Sequence, residues 1–316
     1  MPINADKPHL WKADVAKSVD LFNTWFMECA PAAYRTTRVK TTEAVKKAMD
    51  WTCALTKLDA ATLAEYPSVL PMLRMCTAPP IARDRLIGLA SVPKGLVTRI
   101  EDGKLPCRMC KDDVSLHLTA ICLVLSRLLD EDLFPWIASR TQPPIKDLER
   151  AATIVADRLC GSVSDPIIRN AQEQRQLCLI EDFLEKRGYR KQAHPSGLKL
   201  ADMEPGTFSF RMNILVGTQR KVRIPVDVVV QPMKPARHRL PVLIEAKSAG
   251  DFTNTNKRRK EEATKIHQLR AAYGQNIRLI LFLCGYFDSG YLGYEAAEGL
   301  DWVWEHRISD LLKLGI

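Results

Sequence analysis

Residues 222–230 read Val-Arg-Ile-Pro-Val-Asp-Val-Val-Val, and residues 241–247 read Pro-Val-Leu-Ile-Glu-Ala-Lys. In the first run Val222, Ile224, Val226, Val228 and Val230 recur at every second position, the period of a strand. That leaves Arg223, Pro225 and Asp227 for the opposite face. In the second run Val242, Ile244 and Ala246 share one side, so Glu245 and Lys247 share the other. An earlier run, 208–216, puts Phe208, Phe210, Met212, Ile214 and Val216 on one face, and Gly217-Thr218-Gln219-Arg220 turns it into the next strand. Two carboxylates and one ammonium are therefore expected to meet above one face of a small sheet.

These residue types suit metal-assisted attack on a phosphodiester. Mg²⁺ prefers hard oxygen ligands and keeps several waters, so one or two carboxylates suffice to hold it. Asp227 and Glu245 supply them, and the carbonyl oxygen of Ala246 lies on the same stretch. Cleavage also needs an activated water and stabilisation of the developing negative charge. Lys247 answers either need, as an orienting ammonium or, with a lowered pKa, as a base. The residues leave those two roles open. An Asp followed eighteen positions later by Glu-x-Lys also arises by chance, and a Glu/Lys pair on a strand is ordinarily a solvated face. The flanking elements carry the weight.

Upstream, Arg169 to Arg187 reads as a helix, with an apolar stripe of Leu177, Ile180, Phe183 and Leu184 and a terminating Gly188. Downstream, Asn256 to Tyr273 reads as a second helix ended by Gly274, and Ile277 to Cys284 as a strand buried on both faces. The order is helix, three strands, helix, strand. With Pro225-Val226-Asp227 on one strand and Glu245-Ala246-Lys247 on the next, it resembles the PD-(D/E)XK nuclease core. The stretches Leu243 to Glu262, Gly285 to Asp288, Tyr291 to Tyr294 and Asp301 to Arg307 are similar to those of type II restriction endonucleases of the XamI kind. The likeness is read over roughly residues 165–316.

The resemblance implies an α/β fold, a mixed sheet flanked by helices at 161–316, and the apolar spacing of the first half adds a helical N-terminal domain at 1–160. It implies a Mg²⁺-dependent, sequence-specific endonuclease for double-stranded DNA, with Asp227, Glu245 and Lys247 as the catalytic core. A further acidic ligand on the first core helix is expected, and Glu173 is preferred there over Glu181 and Glu185. A palindromic site read by a homodimer, a companion DNA methyltransferase, and GTCGAC as the first target to try complete the expectation.

The segment after Lys247 adds an electrostatic argument. Thr255 or Asn256 can cap a helix whose first turn then carries Lys257, Arg258, Arg259 and Lys260. Cations there oppose the helix dipole, unless a phosphate backbone lies against them. The ordinary alternative is a solvated turn neutralised in part by Glu261 and Glu262. Asn254 and Asn256 suit adenine edges and the arginines guanine. Arg237 and Arg239, in the loop joining the two strands, are further phosphate contacts or simply a soluble loop.

Composition agrees. The chain has 316 residues, 46% hydrophobic, and a formal charge of +9. Residues 1–160 hold 22 Lys and Arg against 19 Asp and Glu, a net +3, and residues 161–316 hold 24 against 18, a net +6. Nine cysteines, with no leading apolar segment, fit a reducing cytoplasm, and no stretch approaches the ~20 apolar residues of a membrane helix. Cys107 and Cys110 have zinc-ligand spacing but lack a second pair. The first half reads as helices at Trp11–Cys29, Thr42–Leu58, Asp113–Leu129 and Ile145–Cys160, the third apolar enough to be buried on most sides. Nucleotide-binding, hydrolase-elbow and zincin motifs are absent from the sequence. The rival functions are a structure-specific repair or recombination nuclease with the same core, and a DNA-binding protein without catalysis.

Overall fold

The computed structural model describes residues 2–193, 200–217, 221–234, 240–253 and 255–316. Its helices are α1 (Pro8–Trp51), α2 (Ala60–Glu65), α3 (Leu70–Met75), α4 (Arg83–Ala90), α5 (Lys94–Glu101), α6 (Lys111–Arg127), α7 (Pro135–Ser139), α8 (Ile145–Glu185), α9 (Thr255–Tyr273) and α10 (Ser289–Ala297). Its strands are β1 (Arg190–Lys191), β2 (Thr207–Val216), β3 (Val222–Gln231), β4 (Val242–Ala249), β5 (Arg278–Gly285) and β6 (Asp301–Trp304). They form one mixed sheet in the order β1-β2-β3-β4-β5-β6. The β2–β3 and β3–β4 pairs are antiparallel, and β1–β2, β4–β5 and β5–β6 are parallel. The expected succession of helix, three strands, helix and strand is present, with the two-residue β1 added before the three strands and α10 and β6 after the last.

Four helices expected in the first half and its border are two. Trp11–Cys29 and most of Thr42–Leu58 lie in α1, and Ile145–Cys160 and Arg169–Arg187 fall in α8 but for its last two positions. Pro31 and Pro166 sit inside these helices. Each proline removes one backbone donor, yet the helix runs on past it.

The chain divides into two compact units, one of residues 1–30 with 168–316 and one of 31–167. The division expected at 160/161 therefore moves, and the first thirty residues leave the helical half. Contacts distant in sequence hold them: Asp14, buried, receives two bonds from the Arg307 guanidinium at 2.9 Å each, and the Asn4 amide donates to the Trp302 carbonyl at 2.8 Å. His306 packs here, its ring against Trp304 and 3.4 Å from Asp14.

The unit of residues 31–167 is helical, with Val45, Leu70, Leu86, Val97, Ile121, Leu125, Trp136 and Val155 in its core. Helix α6 buries Val114, Leu118, Ile121, Cys122 and Leu125 but leaves Leu116 and Leu123 exposed, so its burial is confined to one face. Cys107 and Cys110 are exposed thiols, and among the described residues no three His, Cys, Asp or Glu side chains form a metal-binding group. Nor is any described helix long and apolar enough to cross a membrane.

In the other unit the sheet is covered on both sides. Leu177, Ile180 and Leu184 of α8 pack on Val228, Val230, Val242, Ile244, Ile280 and Phe282. Ile266 and Leu269 of α9 pack on Val229, Leu243 and Leu279 across the sheet. Each such aliphatic side chain, fully buried, contributes about 1.5–3 kcal/mol of transfer free energy. Beside α9, Tyr291 and Leu292 of α10 pack with Leu281, Leu283, Trp302 and Trp304. The chain reaches α10 through Gly285 at φ 101°, where a Cβ would stand 2.1 Å from the Ala249 carbonyl oxygen. Only glycine fits that turn.

Candidate active site

The ladder between β3 and β4 ends at the pair Val228–Ile244. The next positions are Asp227 and Glu245. There the Asp227 carboxylate takes over from the backbone, its Oδ2 accepting the Ala246 N–H at 2.9 Å. On the other side, the β2–β3 pairing runs from Phe210–Val228 to Met212–Val226 and skips Arg211, which has φ 52°. Left-handed backbone is uncommon for a residue with a Cβ and turns the strand over. Phe208 and Phe210 accordingly pack on the α8 side, and Met212, Ile214 and Val216 on the α9 side. On β3, Val228 and Val230 go one way, Ile224 and Val226 the other. The single apolar face expected on each strand is thus divided at the aspartate, because alternation holds only while the backbone stays extended.

Glu245 is 3% exposed. Its Oε2 lies 3.3 Å from Lys247 Nζ, and its Oε1 is held by the Lys265 ammonium, which also donates to the Pro225 carbonyl at 2.6 Å. Lys247 Nζ lies 3.9 Å from Oε1 of Glu262 on α9. Three carboxylates and two ammoniums therefore share one half-buried spot. Burial, and then the Glu245 charge, push the Asp227 carboxyl up to about 6, against the pull of Lys247, the Ala246 amide and Lys265. For Lys247, burial favours the neutral amine, but Glu245, Glu262 and Asp227 outweigh it and hold its pKa above the ordinary value. It is an ammonium.

Helix α8 reaches this strand through buried Gln176, whose amide donates to the Phe282 carbonyl at 3.3 Å and the Lys247 carbonyl at 3.5 Å. Glu173 lies one turn earlier, and its carboxylate pairs with Arg211 at 2.8 Å. Service as a metal ligand would require release from that pair. Of the other expected contacts, Asn256, Lys257 and Arg258 lie in the first turn of α9. Arg259 sits over the Tyr294 ring, 5.0 Å from its centroid, and Lys260 is exposed. Asn254, Arg237 and Arg239 lie outside the described residues.

The model of the XamI restriction endonuclease family matches residues 53–304, a span that contains every residue of this cluster. The chain belongs to the XamI restriction endonuclease family. It is also 58% identical, over 313 residues and 99% of both chains, to the type II restriction enzyme SalI of Streptomyces albus G. No solved structure matches it. The likeness read over residues 165–316 thus extends through the helical unit as well.

Two residues of this family member's cluster escaped the sequence reading. Lys265 stands nearly three turns into α9, in a run of charges with no strand-like spacing to single it out. Glu262 entered the sequence reading only in the alternative of a solvated turn that it would help to neutralise, whereas it is 3% exposed and faces Lys247. The one available signal was its helical spacing from buried Ile266 and Leu269.

Behind Glu262 lies Glu295 of α10, fully buried. Burial, and then the neighbouring Glu262 carboxylate, raise its pKa far above the ordinary range. Neither of its oxygens receives a hydrogen bond among the described residues, while the Tyr291 hydroxyl donates to Glu262 Oε2. The consistent state is a protonated Glu295 donating to Glu262. A raised carboxyl pKa contributes stability below the unfolded value near 4.5 that is lost as pH rises toward about 9. Glutamine keeps the neutral donor without the titration. Glu295→Gln therefore melts higher than the parent at pH 8 and level with it near pH 4.5, the gap growing by at most about 1.4 kcal/mol per pH unit. Thermal melts across that range check this, and a constant gap defeats it.

Proposed function

We propose that this restriction endonuclease is a type II enzyme built on the PD-(D/E)XK nuclease core, hydrolysing both strands of double-stranded DNA at a short palindromic site. The reaction depends on Mg²⁺ and leaves 5′-phosphate and 3′-hydroxyl ends. The observation that carries the reading is the convergence of Asp227, Glu245 and Lys247, with the Asp227 carboxylate 2.9 Å from the amide of the residue between the other two.

The residues fit a hard divalent cation. Two carboxylates crowd one another in a site of low exposure, raising the pKa of Asp227, and two ammoniums balance Glu245. Asp227, Glu245 and the Ala246 carbonyl would hold the ion, with Glu173 as a weaker candidate. Bound there, it supplies Lewis-acid polarisation of the scissile phosphate and a more acidic water. Lys247 then acts as a donor to the developing negative charge.

The net +6 of residues 161–316 favours a polyanionic substrate. Lys260, exposed in the second turn of α9, and the basic residues just before it in sequence are the proposed phosphate contacts, with Arg237 and Arg239. Two-fold symmetry in the site is matched most simply by a homodimer, and a methyltransferase of the same specificity would protect the host's own copies.

The test is digestion of a plasmid of known sequence by the full chain with Mg²⁺, followed by mapping of the termini. Discrete fragments cut at one short palindrome are expected, with GTCGAC the first examined. Cleavage only at nicks or junctions would make it a repair-type nuclease, and binding without cleavage a DNA-binding protein.

A further inference from the structure

We infer that Glu262 is the positioning residue of the active site, anchoring the Lys247 ammonium from α9 with a carboxylate that Tyr291 and Glu295 of α10 hold in place. This rests on the reading of Lys247 as catalytic. Glu245 already has one oxygen against Lys247 and the other against Lys265. Any cation it binds competes with both ammoniums for those oxygens. A lysine side chain has many rotamers to lose, so an anchor independent of Glu245 keeps it placed during that competition.

Glu262 has the features of such an anchor. It is 3% exposed, where an ionised carboxylate is expensive unless it is paired and hydrogen-bonded. Its Oε1 stands 3.9 Å from Lys247 Nζ, and its Oε2 accepts from the Tyr291 hydroxyl. Tyr291 and Glu295 are four residues apart on α10, on one helical face, and both are fully buried or nearly so. Glu295 adjoins Glu262 in the same buried pocket, on the side away from solvent.

The experiment measures single-turnover cleavage of a duplex carrying the mapped site, with binding of that duplex measured in Ca²⁺ and melting temperature alongside. Glu262→Gln keeps the shape and an acceptor for Tyr291 but removes the charge. It should cleave roughly 10- to 100-fold more slowly, with duplex affinity within about twofold and melting unchanged. Added to Lys247→Ala, it should cause no further loss, since both act through one ammonium. Should Glu262→Gln fail to fold, Tyr291→Phe, which withdraws only a hydroxyl, must show the same split between rate and affinity. A folded Glu262→Gln or Tyr291→Phe of unaltered rate overturns the inference, as does a loss additive with Lys247→Ala. The two readings fail separately. If Lys247→Ala cleaves normally, the catalytic assignment itself is gone. If Lys247→Ala is inactive and Glu262→Gln is fully active, only the positioning role is lost.

Discussion

Lys247→Ala lowers the single-turnover cleavage rate by about 10²- to 10³-fold, the size of effect seen when one donor to a developing oxyanion is removed, and leaves duplex affinity nearly unchanged. The ammonium lies 3.3 Å from Glu245 and 3.9 Å from Glu262, and both carboxylates hold it charged. Lys265 remains in the variant, bonded to Glu245 and to the Pro225 carbonyl, so the cluster does not lose all its positive charge. The rate therefore falls from loss of one placed donor, with the fold intact. Rapid-quench cleavage beside fluorescence-anisotropy binding separates these terms. A variant that loses rate and affinity equally would make Lys247 a substrate-binding contact. One that loses neither would remove it from the site.

The second large effect separates two jobs of Asp227. Its Oδ2 accepts the Ala246 N–H at 2.9 Å where the strand ladder ends, and its charge is one of the two proposed to hold the cation. Asp227→Asn keeps an oxygen for the amide and discards the charge. Cleavage should fall by about 10²-fold or more, and calorimetric titration with Mn²⁺ should show affinity weakened at least about tenfold, the scale of loss on disturbing a metal's ligand shell. Its melting temperature should hold. Asp227→Ala discards both and leaves the Ala246 N–H without its acceptor, at a cost of about 1–3 kcal/mol, so it should also melt several degrees lower. Equal melting of the two variants would show that the Ala246 bond contributes nothing, and full cleavage by Asp227→Asn would end the metal-site reading.

What could be read from the sequence was local. Strand alternation marked β3 and β4 within a residue or two, and the two-residue period placed Glu245 and Lys247 together. The αR-to-strand punctuation at Gly274 ended α9 as expected, its glycine at φ 87°. Reading failed where distant packing overrode local signals. Pro31 and Pro166 interrupt helical hydrogen bonding, yet α1 and α8 continue past them. The even apolar positions of β2 and β3 face two different cores because Arg211 leaves the extended region, and arginine carries no preference that announces it.

That Asp227, Glu245 and Lys247 lie near one another could be expected from sequence alone because adjacent strands bring them together through short-range geometry: side chains alternate, and neighbouring strands lie about 5 Å apart. Glu262, Lys265, Tyr291 and Glu295 could not. They come from helices whose charged residues look equally solvated until α9 and α10 dock beside the sheet, and it is burial that gives the docked ones their chemistry. A carboxyl in water is an ordinary acid; the same group enclosed beside another holds its proton, and that distinction exists only in the folded chain.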